Sequence, residues 1–279
     1  VMATGRETGR RRLDGQRDVS EWRLERPAPT YTFGFVAGEL TSVSERVGNV
    51  TLQFAARGLT REQLTRVFAD SQQMLAFFRE RAGLAYPGDR YAQALVPETI
   101  GQEMSGLSVF SDDYGAEVLK DPQSVGLLAH EFAHQWWGNL VTNRDWTHFW
   151  LNEGFATFMA AAYREHRFGR TAYDLDIARM RARYERARAA GHDKPLVFPN
   201  WDHPTADDRT IVYQKGGYVL HLLRQELGDE LFWRGIRAYT STHAGQSVTT
   251  DDFKQSMQVA TGRDLSGFFA KWVTGMVGP

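Results

Sequence analysis

The apolar positions follow mostly the period of strands, with one helical interruption, up to about residue 111, and a helical period from residue 124 onward. Through residues 31–39 and 49–56, Val, Phe, Tyr and Thr crowd together between turns bearing Gly and Ser, the pattern of short strands. Leu64, Val67, Phe68, Met74, Phe77 and Phe78 then recur at helical spacing. They predict a helix over 60–82, with Thr60 as N-cap and Gln63 completing a capping box. Two more strands are predicted at 91–97 and 107–111. From residue 124 onward the pattern is helical, over 124–138, 152–168, 172–189, 215–227, 229–244, 251–260 and 265–273. Gly138, Gly169, Gly191 and Gly228 stand at or just past the ends of these segments, as stop signals should. Strands first and helices afterwards is the order of an α+β domain.

Composition narrows the function classes. A net charge of -1 over 279 residues argues against a dedicated nucleic-acid or anionic-membrane surface. The basic runs at 10–12 and 179–188 read as solvated faces, the second because it alternates with apolar residues and contains Glu185. The absence of cysteine excludes a disulfide-dense scaffold and leaves the compartment open. No apolar run is long enough to span a bilayer. The chain begins Val1-Met2-Ala3, and it reads as a piece of a longer protein.

The chemistry is concentrated in His130-Glu131-Phe132-Ala133-His134, which falls inside a predicted helix. Residues four apart share a helical face, so both imidazoles can reach one ion. Glu131 adjoins the first histidine, where its carboxylate can face an attacking water without binding the metal. A catalytic zinc needs a third protein ligand and an open position, and two histidines with a glutamate form a known set. Eighteen residues separate His134 from Glu153, at the start of the next predicted helix. His130, His134 and Glu153 are therefore the expected ligands of one Zn2+. The other histidines lack such a pattern and are read as surface or satisfied core residues.

The blocks 130–142 (HEFAHQWWGNLVT) and 150–156 (WLNEGFA) closely resemble the M1 metallo-aminopeptidases, a gluzincin family. Thermolysin-like endopeptidases place an Asp four residues after the third ligand, where this chain has Thr157. Gly101-Gln102-Glu103-Met104-Ser105-Gly106-Leu107 is similar to the family's exopeptidase motif, usually Gly-Ala-Met-Glu-Asn before Trp-Gly-Leu. Anchored on Gly106-Leu107, the motif's glutamate falls at Glu103, its asparagine at Met104 and its first glycine at Ile100. Val212-Tyr213-Gln214-Lys215-Gly216-Gly217 resembles the family's Tyr-Glu-Lys-Gly-Ala segment, whose tyrosine is catalytic.

This resemblance implies a thermolysin-like catalytic domain over 41–279, with residues 1–40 closing an N-terminal β-domain. Flanking N- and C-terminal domains of the parent would lie outside the chain. It implies a zinc aminopeptidase acting on peptides with a free N-terminus. Glu131 would be general base, Tyr213 the oxyanion donor and Glu103 the amine-binding carboxylate. The competing readings are a zinc endopeptidase, a leukotriene-hydrolase-like epoxide hydrolase, and a weakly active or non-catalytic peptide-binding fragment.

Overall fold

The computed structural model describes residues 1–276. Its contacts divide into two compact units, one of residues 1–76 with 86–135, the other of 77–85 with 136 onward.

The first unit is built on a mixed five-stranded sheet. Its strands are β3 (Thr41–Val47), β4 (Val50–Ala56), β5 (Arg90–Val96), β6 (Gly101–Met104) and β7 (Leu107–Ser111), in spatial order β3-β4-β5-β7-β6. β4, β5 and β7 run parallel, while β3 and β6 are antiparallel edges. The three parallel central strands are almost wholly buried, which explains their continuous apolar runs. A separate exposed hairpin precedes them, β1 (Arg6–Arg12) with β2 (Asp18–Arg23).

The strand expected over 31–39 is instead a single 3-10 turn at Thr30–Thr32 and a two-residue pairing of Phe35–Val36 with Met2–Ala3. The helix expected over 60–82 is two, α1 (Arg61–Val67) and α2 (Ser71–Ala82). The capping box at Thr60 and Gln63 forms as read. α2 starts at Ser71, which is buried and donates its hydroxyl to Gln93 of β5. Phe54 and Phe68 stack at 5.0 Å, and Phe110 packs on Phe68 at 6.2 Å, fixing this end of the core. α3 (Asp112–Lys120) follows β7 directly, and α4 (Gly126–Ala133) carries the histidine motif.

The second unit is helical. It contains α5 (Trp150–Phe168), α6 (Arg170–Ala189), α7 (Gly216–Thr242), α8 (Thr250–Thr261) and α9 (Ser266–Trp272). Gly154 of α5 and Gly216 of α7 are in backbone contact, since a Cβ on Gly154 would stand 3.0 Å from the Gly216 Cα. Only glycine at both positions permits that crossing. α7 joins the segments expected over 215–227 and 229–244. Gly228, at φ 74° and ψ 159°, puts a sharp kink between them.

A polar network centred on the buried Arg224 braces the start of that kink. Arg224 donates to both carboxylate oxygens of Asp229 at 2.7 Å and to Glu165 at 2.6 Å. The Tyr173 hydroxyl and His221 Nδ1 are 2.8 Å apart. Burial, reinforced by Arg170 and Arg224, holds the His221 pKa at about 4, below the ordinary 6.5. Above pH 6.5 the imidazole is neutral in both folded and unfolded chains. Between 6.5 and 4 only the unfolded chain takes the proton, so acidification favours unfolding across that window. Urea titrations at pH 7.5 and 5 are expected to show a loss on the order of 2 kcal/mol that His221→Gln largely removes. An equal loss in both proteins would refute the assignment.

Candidate metal centre and active site

A stacked aromatic pair packs α4 against the sheet. The Phe132 ring lies on Tyr91 of β5 at 4.2 Å, and both are fully buried. The Tyr91 hydroxyl is 2.7 Å from Ser108 Oγ, and burial raises its pKa well above the ordinary phenol value. With Phe132 inward, His130 and His134 share another face of the same short helix. Their Nε2 atoms stand 3.1 Å apart. Two nitrogen ligands on one tetrahedral zinc would be separated by about 3.3 Å, from Zn–N lengths of 2.0–2.1 Å. The imidazole pair therefore suits one shared ion.

α4 ends at Ala133 and does not run on to residue 138 as its pattern predicts. Past His134 the chain turns, with the Val141 N–H donating to the Trp136 carbonyl and Gly138 to Val141. The turn frees Gln135 for another task. Its Oε1 accepts from the Gly106 N–H at 2.9 Å, and its Nε2 donates to the Met104 carbonyl at 3.2 Å. Gly106 has φ +76°, the left-handed conformation that the β6–β7 turn needs. Gln135 thus ties the strand bearing Glu103 to the end of the helix bearing the histidines.

β6 passes close to Glu131: a Cβ on Gly101 would stand 2.9 Å from Glu131 Oε1, so a larger residue there would displace that carboxylate. Glu103 follows two residues later, buried, and accepts a 2.7 Å hydrogen bond from Gln102 Nε2. Glu103, Glu131 and His134 each offer a ligand atom, all within 4.8 Å of one another. Gln102, Gln135 and Gly101 carry no signal in the sequence as isolated residues. Their position inside the exopeptidase-like block is what could have marked the first and third.

Glu153 lies in the first turn of α5, buried, where the positive end of the helix dipole favours a carboxylate. That turn is anchored on both sides. Trp150 Nε1 donates to Thr250 Oγ1 at 2.9 Å, and Asn152 Oδ1 accepts from the Asn143 N–H at 3.1 Å. His130, His134 and Glu153 offer three ligand atoms that all lie within 4.8 Å of one another. Two imidazoles and a carboxylate fit zinc in number and in kind.

Tyr213 sits in a π-helical turn, Ile211–Lys215, between the short helix Ala206–Thr210 and α7. Such turns are rare and recur at functional positions. Polar contacts from three consecutive residues, 192–194, flank this turn. Lys215, fully buried, donates to Asp193 at 2.8 Å and to the Lys194 carbonyl. Lys194 pairs with Asp208, and His192 with Asp207. Burial lowers the Lys215 pKa, and the Asp193 carboxylate opposes that shift. The Tyr213 ring is half-buried, edge-on to Phe149 at 6.4 Å.

Other histidines are satisfied elsewhere, His148 by Thr250 and His243 by Ser256. The run at 179–188 lies on α6 with Arg179, Arg181, Arg183 and Arg186 exposed and Arg188 half-buried.

Comparison with known proteins bears on this geometry. The sequence profile of the peptidase family M1 domain matches residues 67–272. The chain is 29% identical to aminopeptidase N of Caulobacter vibrioides, over 96% of this chain and 33% of that protein. It is 30% identical to aminopeptidase N of Bos taurus, over 91% of this chain and 28% of that protein. The structure of an M1 zinc metallopeptidase from Deinococcus radiodurans superposes with a TM-score of 0.79 at 25% identity. That alignment covers 99% of this chain and 61% of the other. The chain spans about a third of the length of the curated relatives it matches. Among the described residues no helix is long and apolar enough to cross a membrane.

Proposed function

Because the chain belongs to peptidase family M1, we propose that it is the zinc-dependent catalytic part of an aminopeptidase, which removes the N-terminal residue of peptides. His130, His134 and Glu153 hold the metal. When bound, zinc supplies Lewis-acid polarisation of the scissile carbonyl and a more acidic water. Glu131 takes the proton of the attacking water on its carboxylate and later delivers it to the leaving amine. The Tyr213 hydroxyl donates to the oxyanion that develops on the carbonyl, a contribution of about 2.7–4 kcal/mol for a single donor. Residues 41–279 form the catalytic domain, and residues 1–40 the end of a preceding β-domain. In support, the β1/β2 hairpin pairs only with itself among the described strands.

One observation carries the exopeptidase reading. The carboxylate of Glu103 converges with Glu131 and His134 within 4.8 Å, so an ammonium held there lies one residue from the reacting carbonyl. A buried carboxylate calls for a cationic or hydrogen-bonding partner, and the substrate's α-ammonium is a suitable one. Gln102 orients that carboxylate from the side, a task the family's usual motif gives to no glutamine. An endopeptidase would have no use for such an anchor.

Glu103→Ala is expected to lower kcat/KM on peptides with a free N-terminus by roughly 10- to 100-fold, the worth of one charged hydrogen bond. The same peptides with an acetylated N-terminus should be cleaved slowly and equally by both proteins. Parallel losses on free and blocked peptides would count against amine recognition and favour the endopeptidase reading.

A further inference from the structure

Outside the proposed active site, the first unit contains a second concave, charged place. A cavity of about 320 Å³ opens beside the β1/β2 hairpin, walled by that hairpin, the 86–90 segment and the Ser105–Gly106 turn. Four arginines line it: Arg6, Arg23, Arg26 and Arg90. The acids in the wall are Glu25 and Asp89, which leaves an excess of two positive charges.

The charges are unevenly met. Glu25 reaches Arg6 at 3.7 Å and Arg23 at 3.5 Å from a well-exposed side chain, the kind of pair that water weakens. Arg26 is half-buried, and among the described residues its guanidinium has neither an ion pair nor a hydrogen bond. Burial accordingly pulls its pKa down. Arg90 lies over the Trp22 ring at 5.0 Å and donates Nε to Gln53 at 2.9 Å and Nη1 to the Gly5 carbonyl at 3.4 Å. Its Nη2 is buried without a hydrogen-bond partner. A guanidinium N–H stripped of water and left without an acceptor is costly, and the planar fork of arginine matches the oxygens of phosphate or carboxylate.

We propose that this cavity binds a small dianionic ligand through the Arg26 and Arg90 guanidiniums. The cavity has room for more than a single oxyanion, so the ligand class is a small phosphate ester or dicarboxylate. Neither the zinc chemistry nor amine recognition enters into this site, and its test does not depend on them.

The test is calorimetric titration of the 279-residue protein with inorganic phosphate and, separately, succinate, at constant ionic strength. Saturable binding of at least one is expected. Arg26→Gln should weaken it roughly tenfold, the loss of one charge-assisted contact. Among the described residues Arg26 makes no ion pair or hydrogen bond that the substitution would remove, so the unliganded variant should melt close to the parent. Arg10→Gln, on the same hairpin but outside the cavity wall, should bind as the parent does. Phosphate binding without succinate binding would identify a phosphate ester, and the reverse a dicarboxylate. The proposal is overturned if neither ligand binds saturably, or if Arg26→Gln binds as tightly as the parent.

Discussion

Glu131→Gln is expected to keep its zinc and to lose about a thousandfold in kcat. The side chain is 4% exposed, on the helix that carries both imidazoles, with β6 pressed against its Oε1. Glutamine has the same length and shape, so it fits the space that Gly101 leaves. What it lacks is a basic oxygen. General acid–base catalysis by a positioned side chain contributes about 10²- to 10⁴-fold, and the proposed mechanism gives this one carboxylate both proton transfers. The loss should therefore fall on kcat, with KM little changed, because the amine anchor and the metal ligands are untouched. Steady-state rates on aminoacyl chromogenic substrates, with zinc content measured on the same samples, read both quantities. A variant with stoichiometric zinc and turnover within tenfold of the parent would remove Glu131 from the proton-transfer role.

The contrast between what the sequence discloses and what it hides follows the range of the interactions. The zinc set is legible because helical spacing alone puts His130 and His134 on one face, and a fixed interval leads to Glu153. The end of α4 is not legible. Nothing in the apolar pattern of 124–138 says that Gln135 will leave the helix to hold a turn 29 residues upstream. The π-helical turn under Tyr213 is hidden for the same reason. It ends at Lys215, which reaches back to Asp193 in a long-range pair no local pattern encodes. α3 is a different case. Ser111 caps it and Asp112 and Asp113 fill its first turn, signals a closer reading of 111–120 would have used. The region before residue 40 resisted because Pro27 and Pro29 interrupt any strand there, while the β1/β2 hairpin is too polar to show a buried face.

These two layers meet at Glu103, the proposed amine anchor. Resemblance locates Glu103, but the neighbours that set its chemistry differ from the family pattern, and their roles come from the fold. Gln102 hydrogen-bonds the carboxylate, and Met104 contributes its carbonyl to the Gln135 clasp. The departures from the motif therefore retain a built environment around the glutamate.

Removing Glu153 should show whether these positions make a metal centre. Glu153→Ala leaves two imidazoles and deletes the only charged ligand, so a dication would no longer be partly neutralised by its site. Residues that merely orient a ligand already contribute about 10- to 100-fold in zinc affinity, and loss of a ligand itself should exceed that. After dialysis against a metal-free buffer, the parent is expected to retain one zinc per chain and the variant almost none. Binding to the folded state stabilises it by mass action, so added zinc should raise the melting temperature of the parent only. Misfolding is a poor alternative cause of zinc loss, because the turn that carries Glu153 is anchored independently through Trp150 to Thr250 and Asn152 to Asn143. A native circular dichroism spectrum in the variant would confirm that the anchors hold. Glu153→Gln separates charge from shape: it keeps a carbonyl oxygen at the same reach and should bind zinc more weakly than the parent but better than alanine. Stoichiometric zinc in dialysed Glu153→Ala would exclude Glu153 as a ligand and leave the imidazole pair to find its third donor elsewhere.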